Sequence, residues 1–176
     1  MDWYKMVFDL IDLRSFSNLW FWIALAVLWS TTSHWVLGVP FDMVARARKY
    51  GGDAAQDLQD LVAINTRRML FIARVSGLWL IALMAFMITA LVILGFVYRV
   101  EFAQAVFLLL APLAIVGALS LATAQRISET QMQGDDLYRC LTRHRMIVQA
   151  IGMVSIFITS LWGMWQNMQV FAIWPN

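Results

Sequence analysis

The residues best able to do chemistry in this chain are few, and they gather at one depth of a very apolar sequence. Arg74 lies about one and a half turns inside the run "MLFIARVSGLWLIALMAFMITALVILGFVY", with Ser76 just after it. A guanidinium inside a lipid-embedded helix costs about 2.5–3.5 kcal/mol at mid-bilayer and less near an end, so it marks a functional candidate. Ser30, Thr31, Ser33 and His34 fall at a similar depth of the first apolar run, and Gln149 at a similar depth of the last. Together these residues would form a polar pocket open to the cytoplasm, suited to an anion or a lipid headgroup. The competing reading is that Arg74 snorkels to the inner surface and the hydroxyls bond helix to helix.

Other chemistry is thin. His34 and His144 are the two histidines and Cys140 the one cysteine. A haem held by both histidines needs them at one depth, yet His34 lies within an apolar run and His144 precedes one. Cys140 and His144 share a helix face but offer two ligands, too few for a metal within one chain. No Asp or Glu lies within the apolar runs, whereas coupled carriers usually need an intramembrane carboxylate or broken helices. No nucleophile–base pair, phosphate loop or metal signature is present. The expectation is a chain without catalytic residues, metal or cofactor. Arg99 and Glu101, which flank a short turn, are expected to form a local ion pair.

The elements that must position these residues are long and greasy. Hydrophobic residues make up 61% of the 176 residues and charged residues 14%, against roughly 25% charged in soluble domains. A soluble chain of this size could not hide so much apolar surface. The excess sits in four runs, about 18–39, 69–98, 102–124 and 146–165. Each is close to or above the roughly 20 residues that cross a bilayer as a helix. Backbone amides in lipid must bond within their own segment, and strict alternation is absent, so helices are expected rather than a barrel. The fold class is all-α: one integral membrane domain, a four-helix bundle of two helical hairpins. The formal charge of +2 gives no reason to expect nucleic acid.

Lys and Arg set the orientation. Arg46, Arg48, Lys49, Arg67 and Arg68 crowd the first connection, and Arg126, Arg139, Arg143 and Arg145 the third; Arg99 stands alone in the second. Such clusters face the cytoplasm, which puts both termini in the periplasm. Arg46, Arg48, Lys49, Arg67, Arg68, Arg143 and Arg145 are expected to meet anionic headgroups. Trp20, Trp22, Tyr98, Trp162, Trp165 and Trp174 fall near the proposed outer boundary, whereas Trp29 and Trp79 lie deeper and read as packing residues.

Both inner connections carry helical extensions. Gly51 and Gly52 should end a helix continuing past Pro40, and Asp53 with Gln56 reads as a capping box for the next. Ala54, Leu58, Leu61, Val62 and Met69 line one face of that helix. Gly134 should stop the third helix, with Asp135 or Asp136 capping the fourth. The small residues Gly152, Ser155, Thr159 and Gly163 form a stripe that lets another helix approach closely. Residues 1–16 alternate apolar and charged faces at helical spacing, as in a helix lying flat on the outer leaflet. No convincing cleavage site follows the first run, which reads as a retained anchor.

The segments "DLIDLRSFSNLWFWIALAVLWSTTSHWVLGVPFDMV", "EFAQAVFLL" and "GMVSIFITSLWGM" resemble a family of small four-span inner-membrane proteins of purple and marine alphaproteobacteria. The resemblance covers nearly the whole chain. It implies a bacterial inner-membrane location and brings no catalytic residues. Family members often carry the label "component of SufBCD complex", which nothing in these residues supports, since one cysteine cannot hold an iron–sulfur cluster. The expected partners are membrane lipids and either a second membrane protein or further copies of the chain. The expected role is that of an accessory, assembly or scaffold subunit; the alternative is a small homo-oligomeric channel or transporter with a polar site near Arg74 and His34.

Overall fold

The computed structural model describes residues 15–173, with side chains as far as Met168. The surface helix expected over 1–16 and the aromatic at Trp174 therefore fall, all but Ser15 and Phe16, outside the described residues. Within them lie α1 (Leu19–His34), α2 (Phe41–Tyr50), α3 (Gly52–Val92), α4 (Glu101–Thr130) and α5 (Gly134–Ile173). The strands β1 (Trp35–Val36) and β2 (Val39–Pro40) pair antiparallel between α1 and α2. A π-helical turn, Ile93–Val97, ends α3.

α3 (with its π turn), α4 and α5 are long and apolar enough to cross a membrane. The protein is thus an all-helical chain with several long apolar helices, as a multi-span membrane fold requires. α1 is shorter than expected. Its 16 residues reach about 24 Å, less than the roughly 30 Å of hydrocarbon. The cause lies just beyond it. Leu37 and Gly38 both take positive φ, the geometry of a tight hairpin turn. Pro40 biases Val39 to an extended conformation and then stands as the N-cap of α2. The apolar letters continue to Val39, but the helix ends at His34 and does not run on past Pro40.

The turns between α2 and α3 and between α4 and α5 keep their place and change their chemistry. Gly51 ends α2 and Gly52 opens α3, both at positive φ, where a side chain would be strained. The N-cap of α3 is Gly51 itself, without a side-chain cap bond, so Asp53 only adds charge to the first turn. α4 stops at Gln131, in the left-handed conformation, rather than at Gly134, which opens α5. The amide of Gln131 donates to Ser128 O at 2.6 Å, a local bond that steadies this turn.

Two different packings share the molecule. At the end that carries the α2–α3 and α4–α5 turns, Val39, Val44, Leu58, Val62, Ile127, Leu137 and Leu141 bury into one core drawn from β2, α2, α3, α4 and α5. The face predicted on α3 by Leu58 and Val62 is thus the buried one. In the apolar half, contact is narrower. Leu25 and Trp29 of α1 meet Val116 of α4 and Val148 of α5. The small-residue stripe of α5 is what admits α1: a Cβ on Gly152 would lie 2.7 Å from Trp29, and one on Gly163 3.3 Å from Trp22. α1 is seated on α5, and α3 on α4 and α2. The first two predicted spans therefore do not pack as a hairpin pair, and α3 stands at the edge of the array.

Candidate functional site

The hydroxyl-rich end of α1 is positioned by the tight turn that stops it. Ser30, Thr31, Ser33, His34 and Trp35 line a cavity of about 370 Å3 together with Arg145 of α5. The Arg145 guanidinium stacks on Phe41 at 3.9 Å from the ring centroid. Its Nε is buried and makes no hydrogen bond among the described residues. One of its hydroxyls is engaged locally: Ser33 Oγ donates to Ser30 O at 3.1 Å, while Thr32 Oγ1, outside the lining, donates to Leu28 O at 2.8 Å. The carbonyl end of a helix carries partial negative charge, so a cation on this cavity stabilises α1 where it stops. The arrangement can also accept an acceptor-rich group from outside.

Arg74 lies elsewhere. It is exposed, and lines a second cavity of about 390 Å3 with Leu121, Gln125, Ser128 and Glu129 of α4. Gln125 Nε2 donates to Glu129 Oε1 at 3.1 Å, which orients that carboxylate. Ser76 and Gln149, both half-buried, line neither cavity. The structure therefore brings Ser30, Ser33 and His34 together with Arg145, and sets Arg74 apart with a carboxylate of α4. Register between helices decides this, and a single sequence does not encode it visibly.

The predicted headgroup cations are mostly solvent-facing. Arg46, Arg48, Lys49, Arg67, Arg68 and Arg143 are exposed; Arg145 is half-buried. Arg46 pairs with Asp42 at 3.3 Å, Lys49 lies over the Tyr50 ring at 5.1 Å, and Arg67 Nε donates to Ala63 O.

His144 ties α5 to α4. Thr123 Oγ1 donates to Leu119 O at 2.8 Å and lies 3.0 Å from His144 Nδ1; Ser120 Oγ lies 3.3 Å from Nε2. Thr123 has spent its proton, so Nδ1–H donates to Thr123 and Nε2 accepts from Ser120. That is a neutral ring, and burial lowers the His144 pKa from its ordinary 6.5. Cys140, four residues earlier, is half-buried; burial raises its pKa, against the opposing charges of Arg126 and Arg143. Among the described residues no group of three or more His, Cys, Asp or Glu could hold a metal ion.

One polar node escaped the sequence reading. Gln104, buried near the N-terminal end of α4, donates from Nε2 to Gly95 O at 2.7 Å. Its Oε1 accepts from Trp162 Nε1 at 2.9 Å and from Gln166 Nε2. The π turn lets the chain cross closely here: a Cβ on Gly95 would lie 3.0 Å from Gln104 N. The available signal was an amide inside the apolar run "EFAQAVFLL", a group that must find partners in lipid. Nearby, Glu101 accepts a bond from Phe16 N–H at 2.8 Å, and forms no ion pair with Arg99 among the described residues. Comparison with protein-family models, curated proteins and solved structures gives no match to this chain.

Proposed function

We propose that the chain is a non-enzymatic, multi-pass protein of a bacterial inner membrane, with both termini periplasmic, acting as an accessory, assembly or scaffold subunit of a membrane complex. The observation that carries this reading is Trp79. It sits near the middle of the apolar part of α3, yet 79% of its surface is exposed. Tryptophan prefers the membrane interface or a protein contact, and Trp29, also deep, is 5% exposed against α5. Leu78, at 81%, and Phe71, Val75 and Phe86 extend the same uncovered surface. A large aromatic at mid-depth with little of its own chain covering it supports a second membrane protein there. The inner location follows the charge bias and the family resemblance.

The second reading, a homo-oligomeric channel or transporter, draws on the cavity that Arg145 shares with Ser30, Ser33 and His34. Intact-mass measurement of the gently extracted protein separates the two. Foreign subunits in fixed stoichiometry that are lost on Trp79→Ala support the scaffold. A closed ring of identical copies supports the channel.

A further inference from the structure

The seam between α4 and α5 opens into a groove that no residue of α1 lines. Its floor is almost wholly carbon: Ala111, Pro112 and Ile115 from α4, Ala150 and Val154 from α5, about 500 Å3 in all. Small side chains make it a trough. Pro112, within α4, also removes the amide that would bond the Leu108 carbonyl. From Ile147 to Ile158 the groove follows about 16 Å of helix, half of a hydrocarbon layer of roughly 30 Å and so the depth of one leaflet.

Ile147 also borders a second hollow, of about 210 Å3, directly towards the inner end. This hollow holds Arg126 from α4 and Arg143 from α5, with Cys140 and His144 between them and no carboxylate in its lining. Both arginines are exposed and make no ion pair among the described residues. Both charges bear on the Cys140 thiol, which places two guanidinium fields over one spot. Elsewhere on the inner surface Arg46 has its own carboxylate. Here an apolar trough one leaflet deep ends under two unpaired cations.

We propose that this groove holds one anionic phospholipid of the inner leaflet, an acyl chain lying along Ala111–Ile115 and Ala150–Ile158 and its phosphate between Arg126 and Arg143. Arginine suits phosphate through its planar fork of donors. The site does not depend on any partner at α3. It makes the α4–α5 seam sensitive to headgroup charge, since the same two helices carry the His144 bonds.

Native mass spectrometry of the purified full chain, titrated with dioleoyl phosphatidylglycerol or dioleoyl phosphatidylcholine, tests the proposal. The anionic lipid should be retained and the zwitterionic one lost. Arg126→Gln with Arg143→Gln should weaken retention roughly 30-fold, about fivefold for each arginine. Arg46→Gln with Arg48→Gln should leave it nearly unchanged. Ala150→Phe fills the trough without touching the cations and should also weaken retention, which keeps the test usable if the double arginine variant misfolds. Equal retention of the two lipids, equal losses in the two arginine pairs, wild-type retention in Ala150→Phe, or displacement by millimolar inorganic phosphate would each overturn it.

Discussion

The charged end and the apolar half of this protein are built from overlapping helices and held by different physics. The charged end buries Leu58, Leu141 and Val39 completely, in a core of large aliphatic side chains. The apolar half buries little: 6% of the most apolar window of α3 and 28% of that of α5. Water drives large apolar groups together. Lipid does not, because its tails are as apolar as leucine, and helices there meet through small residues and polar bonds. Gly152, Gly163 and the Gln104 node are those devices. An apolar residue therefore predicts burial at one end of α3 and exposure at the other.

Truncation should break the symmetry most sharply. Leu141→Ala in the aliphatic core should cost about 2–5 kcal/mol, read from denaturant or thermal unfolding in detergent. Next comes the α1–α5 contact. With a Cβ 2.7 Å from the Trp29 ring, Gly152→Val should cost about 1–3 kcal/mol, and should detach α1 while the aliphatic core still melts cooperatively. Gln104→Leu leaves Gly95 O, Trp162 Nε1 and Gln166 without their shared partner, a loss of about 1–2 kcal/mol.

A smaller effect separates the halves by pH. The folded His144 pKa is below its ordinary 6.5. Above 6.5 both states are neutral and nothing changes. As pH falls through 6.5 the unfolded chain takes a proton that the folded chain refuses, so stability declines until the folded pKa is reached, by at most about 1.4 kcal/mol per pH unit. Unfolding between pH 7.5 and 5 should show this slope, and His144→Gln should remove its part. Smallest of all is Leu78→Ala on α3. Its folding cost should stay within about 0.5 kcal/mol, because the side chain is 81% exposed.

Much of the helical layout was legible. Long apolar runs announced α3, α4 and α5, the double glycine announced the turn between α2 and α3, and the stripe from Gly152 to Gly163 announced a close helix contact. Boundaries were less so. The hydrophobic letters of "WVLGV" continue a pattern whose helix is already over at His34, because Gly38 and Pro40 favour a turn. Asp53 looked like a cap, but a glycine at positive φ took that place. At the candidate site, composition marked the hydroxyl end of α1 and missed its partner, since helix register puts Arg145 there and Arg74 beside Glu129. Trp29 and Trp79 read alike in sequence; only the edge position of α3 separates them.

The most direct test of the account is photocrosslinking from two depths of the apolar half, in native membranes, with a photoreactive residue replacing Trp79 or Thr159. Thr159 is fully buried within the chain, so position 159 should crosslink only internally. Position 79 should yield one discrete adduct with a different membrane protein. Adducts at 79 with lipid alone, or with copies of this chain alone, would contradict it.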